Sequence, residues 1–162
     1  LVPYGTETMH LLRAEKGYII VGQDTDGTVT PIDLNLNWMI GKNKNDFIGK
    51  RSLSRSDIIK SDRKQLVGLV PIDKSYGIEE GQHVIEEETI STPIKKPVQM
   101  LGQVTSSYFS PTLNYSIAMA LIKGGNRKIG SQLFVSTSNL NTIAVEVVKP
   151  NFIDPENRRL KV

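Results

Sequence analysis

Asp62-Arg63-Lys64-Gln65-Leu66-Val67-Gly68-Leu69-Val70 is where this chain changes character. Before it, residues 54–64 are rich in Ser, Asp, Lys and Arg and poor in large apolar side chains, the composition of a linker. From Gln65 onward, β-branched or alternating apolar residues come in short runs at 65–70, 83–85, 98–108, 117–122, 133–135 and 143–148. Turn-forming clusters separate them, among them Tyr76-Gly77, Glu80-Gly81, Thr92-Pro93, Ser110-Pro111, Gly124-Gly125-Asn126 and Ile129-Gly130. Six short strands punctuated in this way predict a small antiparallel barrel or sandwich, and a fold that is mainly β with minor α.

Upstream of the linker the pattern is mixed. Thr6 to Lys16 suits a short helix, with Thr6 as N-cap, Glu7 in the first turn and Gly17 as the left-handed residue that ends it. Tyr18-Ile19-Ile20-Val21 reads as a buried strand, and Asp24, Asp26 and Gly27 as an acidic turn. Ile32, Leu34, Leu36, Trp38 and Ile40 alternate with polar residues; this favours a strand, with a helical turn after Pro31 as the competitor, and Trp38 is expected in the core or a pocket wall. Asp46 is placed to cap a helix over 47–53. The tail after Lys149 is extended and proline-fixed, and 156–162 are expected to move unless they dock on a partner.

Composition bounds the function. The 162 residues are 38% hydrophobic and 23% charged, a globular balance with a formal charge of only +3, so no nucleic-acid partner is expected. The basic residues from Arg51 to Lys64 read as a solvated surface. With no cysteine there is no disulfide, thiolate metal site or cysteine nucleophile. His10 and His83 lack ligand spacing, so no metal is expected. No run approaches the roughly 20 apolar residues of a membrane span, and the expected location is cytoplasmic, with no membrane partner. The Leu1-Val2-Pro3-Tyr4-Gly5 start, without an initiator methionine, is expected of a piece of a longer protein.

Leu12-Arg13-Ala14-Glu15-Lys16-Gly17, the Gly22-Gln23-Asp24-Thr25-Asp26 that follows, Thr30-Pro31 and Trp38 form an ordered pattern that periodicity does not require. Together with Asp46-Phe47-Ile48-Gly49-Lys50, Gly102-Gln103-Val104-Thr105-Ser106-Ser107, Ser110-Pro111-Thr112-Leu113 and Ile117-Ala118-Met119-Ala120, it resembles the aminomethyltransferase family. That family comprises the glycine cleavage T-protein and its relatives in sarcosine and dimethylglycine oxidation. Within it, the wording of 49–53 and 62–69 is most similar to the carboxyl end of the α subunit of heterotetrameric sarcosine oxidase.

The resemblance implies a partial α+β folate-binding segment over 1–53, a linker at 54–64, a six-stranded antiparallel Greek-key β-barrel over 65–150 and a tail at 151–162. It implies oxidative demethylation of sarcosine to glycine, with the one-carbon unit passing to tetrahydrofolate as 5,10-methylenetetrahydrofolate. FAD, FMN and NAD would sit elsewhere in the heterotetramer, with β, γ and δ subunits as partners. Arg13, Lys42, Trp38 and Phe152 are the folate-contacting candidates; Arg13 has a structural alternative in a pair with Glu15 or Asp24. No catalytic residue is expected here, because the family's catalytic aspartate and pterin-binding glutamate precede its Leu-Arg-x-Glu motif, and the fragment alone is expected to be inactive. Phe152 stands where T-proteins carry a folate-touching tyrosine, and it lacks the hydroxyl. The competing readings are a T-protein acting on a lipoyl-bound aminomethyl group, and a non-catalytic subunit-docking barrel.

Overall fold

The computed structural model describes residues 2–86, 88, 97–139 and 141–161. Thr92-Pro93 and the middle of the Glu86-Glu87-Glu88 run lie outside them. Six strands, β1 (Lys64–Pro71), β2 (His83–Ile85), β3 (Met100–Ser110), β4 (Tyr115–Lys123), β5 (Gln132–Ser136) and β6 (Thr142–Val148), close an antiparallel barrel in the order β1-β4-β3-β2-β5-β6. β2, β3 and β4 follow one another as neighbours, while β1 lies beside β4 through a long connection, the Greek-key relation. Pairing of β1 with β6, Leu69 opposite Val147, closes the ring and leaves no free edge.

Alternation along the strands builds two cores. Val67, Leu69, Val84, Val104, Ala118, Ala120, Val135, Val145 and Val147 fill the barrel interior. Leu66, Ile117, Met119 and Leu121 point outward, yet they too are buried, because Ala14 and Leu34 from the first part of the chain cover them. β1 and β4 therefore have two buried faces, which is why their sequences run apolar without interruption. Gly68 faces outward in β1; a Cβ there would lie 2.8 Å from the Phe152 ring, so this glycine makes the seat on which Phe152 packs.

The segment before the barrel folds differently from the sequence-based expectation. Helix α1 spans Thr6–Glu15, with Gly5 rather than Thr6 at its N-cap and no side-chain cap. Gly17 takes φ +75 as expected. Residues 18–21 form no strand: Tyr18 and Val21 are exposed and the chain turns at once through 21–24. The alternating 32–40 run is not the favoured strand but takes the competing form: Pro31 starts a series of turns that ends in a 3₁₀ turn at Asn37–Met39 and leaves Trp38 75% exposed, outside any core. In both cases no free strand edge is left in the closed barrel to pair with, and apolar periodicity alone does not make a strand. Asp46 accepts a hydrogen bond from the Phe47 amide, but the helix that follows is short, α2 (Lys50–Leu53), entered through Gly49 at φ +95.

The Gly124-Gly125-Asn126 cluster turns the chain without making a hairpin, because β4 and β5 are not neighbours; Gly124, left-handed at φ +63, leads into a 3₁₀ turn at Gly125–Lys128. Residues 151–153 of the tail dock on the end of α1: the Phe152 and Ile153 amides donate to the Glu15 carbonyl at 3.0 and 2.9 Å, and Asn151 Nδ2 donates to the Lys16 carbonyl at 2.8 Å. These bonds satisfy carbonyls at the end of α1 that the helix itself leaves without partners. None of the helices described is long and apolar enough to cross a membrane.

Candidate functional site

Asp24 is the most enclosed charged group near the helix, with no solvent exposure. Its Oδ2 receives Arg13 Nη1 at 2.6 Å and the Ile20 amide at 2.9 Å; its Oδ1 receives Thr105 Oγ1 and Ser106 Oγ, both at 2.6 Å. Consecutive residues of a regular strand point to opposite faces. Thr105 and Ser106 reach the same oxygen because β3 bulges between Val104 and Ser106, where the pairing to β4 slips by one residue. The Thr-Ser of Gly-x-Val-Thr-Ser and the aspartate of Gly-x-Asp-x-Asp are thus two halves of one buried contact between barrel and first segment. The sequence reading placed Asp24 in an acidic turn and offered it as a structural partner for Arg13, which the structure shows, but it missed the Thr105 and Ser106 half of the contact; a paired Thr-Ser at an expected strand and a lone Asp after an apolar run were the available signals.

Arg13 is largely committed to this contact. Beyond Asp24 it donates from Nη2 to Ser106 Oγ at 2.9 Å and to Tyr108 Oη at 3.4 Å, and from Nη1 to the Tyr18 carbonyl at 3.2 Å. Its guanidinium lies 5.6 Å from the centre of the Tyr108 ring, a cation–π distance. Only Nε, buried, has no partner among the described residues. A second buried pair ties the chain nearby: Arg63 bridges Asp33 through Nη2 at 2.7 Å and Nε at 2.9 Å. Burial alone would raise the Asp33 carboxyl, but the Arg63 guanidinium and the Thr30 amide and hydroxyl outweigh it and hold it below the usual carboxylate range.

Between the end of α1 and the tail lies a groove of about 370 Å³, lined by Leu12, Glu15, Lys16, Tyr18, Ile153, Asp154 and Arg159. Its walls are mostly apolar, and the charges in it are nearly all spoken for. Glu15 accepts from Ser110 Oγ at 2.6 Å. Lys16 Nζ donates to the Asp154 carbonyl at 2.7 Å, to Asn157 Oδ1 at 2.8 Å and to Asp154 Oδ2 at 3.3 Å. Burial would raise Asp154, yet the Arg158 amide and Lys16 bring it below the ordinary value. The Arg159 guanidinium has no ion pair or hydrogen bond among the described residues, and so is the one charge of the groove left open to a ligand. An apolar slot of this size with one unspent guanidinium suits an organic carboxylate.

The four sequence candidates do not converge on it. Arg13 stands beside the groove with its donors engaged; Phe152 packs on Gly68 in the second core; Trp38 and Lys42 are exposed on the 37–44 segment. Tyr18 and Arg159, which do line the groove, were not among them. No group of three or more His, Cys, Asp or Glu capable of holding a metal ion occurs among the described residues.

A family model described as the glycine cleavage T-protein C-terminal barrel domain matches residues 64–154, more than half of the chain. The chain belongs to the glycine cleavage T-protein family. A second model, the GCVT N-terminal domain, matches residues 1–44. Among relatives in this family, the sarcosine oxidase subunit alpha of Corynebacterium sp. (strain P-1) is 47% identical over 98% of the chain, and that of Rhizobium meliloti 36% over 100%. The aminomethyltransferase of Nitrosomonas eutropha is 35% identical over 94%. The chain spans 16% of the two alpha subunits and 39% of the aminomethyltransferase. The crystal structure of the glycine cleavage system aminomethyltransferase T from Bartonella henselae superposes with a TM-score of 0.74, at 27% identity, over 90% of the chain and 38% of that protein. The T-protein-like barrel with a docked amino-terminal segment is thus a shared family architecture.

Proposed function

We propose that this chain is the tetrahydrofolate-binding, T-protein-like part of a sarcosine oxidase alpha subunit. That enzyme demethylates sarcosine oxidatively to glycine, and the one-carbon unit passes to tetrahydrofolate. The observation that carries the reading is similarity along nearly the whole chain, 98% of it at 47% identity, to a sarcosine oxidase subunit alpha. The groove between α1 and the tail supports the ligand class: Leu12, Tyr18 and Ile153 offer a surface for a flat ring, and Arg159 offers a fork of donors for a carboxylate of the folate tail. Arg13 then acts as a positioning residue, holding Tyr18 through its carbonyl while Asp24 fixes the guanidinium. Tetrahydrofolate supplies the one-carbon acceptor; the residues of this chain bind and orient it.

The test is turnover by the full parent polypeptide with its companion subunits. Sarcosine-dependent oxygen consumption with formation of 5,10-methylenetetrahydrofolate is expected. Transfer from a lipoyl-bound aminomethyl donor without sarcosine oxidation would instead make the protein a T-protein. One observation favours a purely structural role, the commitment of Arg13 to Asp24, and that reading requires turnover and product to be indifferent to tetrahydrofolate.

A further inference from the structure

Asp154 and Asn157 both take left-handed backbone angles, φ +47 and +54, which a residue with a Cβ adopts only at a cost. A small polar knot holds them there. Asp154 Oδ1 accepts the Arg158 amide at 2.8 Å and Oδ2 the Arg159 amide at 3.3 Å, while the Asn157 amide donates to the Asp154 carbonyl at 3.0 Å. Lys16 Nζ gives its three donors to the same turn, reaching the Asp154 carbonyl, Asp154 Oδ2 and Asn157 Oδ1. The knot builds no core, since every residue from Pro155 to Arg159 is exposed. The tail is docked without it, through the bonds of Asn151, Phe152 and Ile153 to the end of α1. What the knot fixes is the place where residue 159 leaves the turn. Arg158 is turned to Glu156, at 2.7 Å, and the Arg159 guanidinium is left at the groove without a partner among the described residues.

We propose that Asp154 and Lys16 are positioning residues for Arg159. The Asp154 carboxylate holds the backbone of the arginine and the Lys16 ammonium ties that turn to α1, so the guanidinium stands at the groove before a ligand arrives. An arginine on an unanchored turn would have to be ordered at the moment of binding, which weakens affinity. Direct contact is the poorer account of Asp154, because both its oxygens are engaged and its charge would repel a carboxylate. The inference rests on the proposed function in one respect, that a carboxylate of tetrahydrofolate meets Arg159.

The test uses the full parent protein with its companion subunits. Asp154→Gly keeps the left-handed angle and removes the carboxylate, whereas Asp154→Asn keeps an acceptor. Hydrogen exchange in the unliganded protein reads the knot itself: the Arg158 and Arg159 amides should exchange about tenfold faster in Asp154→Gly, with the barrel amides unchanged. Calorimetry should find tetrahydrofolate bound about fivefold more weakly in Asp154→Gly and in Lys16→Met, with most of the loss recovered in Asp154→Asn. Placed on Arg159→Gln, Asp154→Gly should change affinity by less than about twofold, because no guanidinium remains to be placed. Equal losses in both backgrounds would mean a merely structural role, and unchanged exchange in Asp154→Gly would also overturn the inference. A loss in Arg159→Gln with none in Asp154→Gly sinks the positioning role alone. No loss in Arg159→Gln, beside faster exchange in Asp154→Gly, sinks the groove as the folate site and the positioning role with it, although the knot stands.

Discussion

Arg13 Nη1 lies 2.6 Å from Asp24 Oδ2, with the carboxylate wholly buried and the guanidinium side chain 10% exposed. The pair joins the helix preceding the barrel to the bulge in β3, since Ser106 bonds both partners. Removing one member of such a pair strands the other charge out of water, which costs on the order of 3–5 kcal/mol. Asp24→Ala and Arg13→Ala should each lower stability by about 3 kcal/mol in urea unfolding, and the double variant by clearly less than the sum. Additive losses would mean that the two residues act separately.

Glycine positions should rank by what a methyl group meets. A Cβ on Gly102 would sit 1.9 Å from the Leu121 carbonyl oxygen, and one on Gly17, at φ +75, 2.4 Å from that of Pro150. At Gly22, with φ +94, nothing lies within 4 Å. Gly102→Ala is expected to prevent barrel closure, Gly17→Ala to release the tail and cost several times more than Gly22→Ala, and Gly22→Ala to cost only about 1 kcal/mol of backbone strain. Thermal unfolding of the three variants checks the order.

Acid should loosen the contact at Asp33 before the barrel melts. Its folded carboxyl is held below the unfolded value of about 3.9, so the stability it contributes is fully present above that value and is lost as pH falls through the lower, folded one. Asp33→Asn should therefore lower stability at pH 7 and flatten the decline below about pH 4. An acid limb as steep as that of the unaltered chain would show that the Asp33–Arg63 bridge does not govern it.

The barrel was legible because its strands obey local rules: each apolar run sits between turn residues, and closure leaves every edge paired. The helix and its Gly17 stop were legible for the same reason. The 18–21 and 32–40 runs were not, because a hydrophobic run buries itself as turn or strand according to whether a neighbour offers an edge, which no window of sequence states. The pairing of Asp24 with Arg13 was open to the sequence as one alternative, but its full burial was not, because its four donors come from residues 13, 20, 105 and 106. The groove was hidden for a similar reason: Tyr18 and Arg159 meet only when the tail folds back over α1. Trp38, expected in the core or a pocket wall, is exposed because a 3₁₀ turn carries it away from the second core.

The most direct test of the account is tetrahydrofolate affinity of the full parent protein, measured by calorimetry for Arg159→Gln beside Lys42→Gln. Both side chains are exposed, so neither change threatens the fold. If the ligand occupies the groove between α1 and the tail, Arg159→Gln weakens binding about tenfold, or roughly 1.4 kcal/mol, and Lys42→Gln leaves it within twofold. Unchanged affinity in Arg159→Gln, or a loss confined to Lys42→Gln, would contradict it.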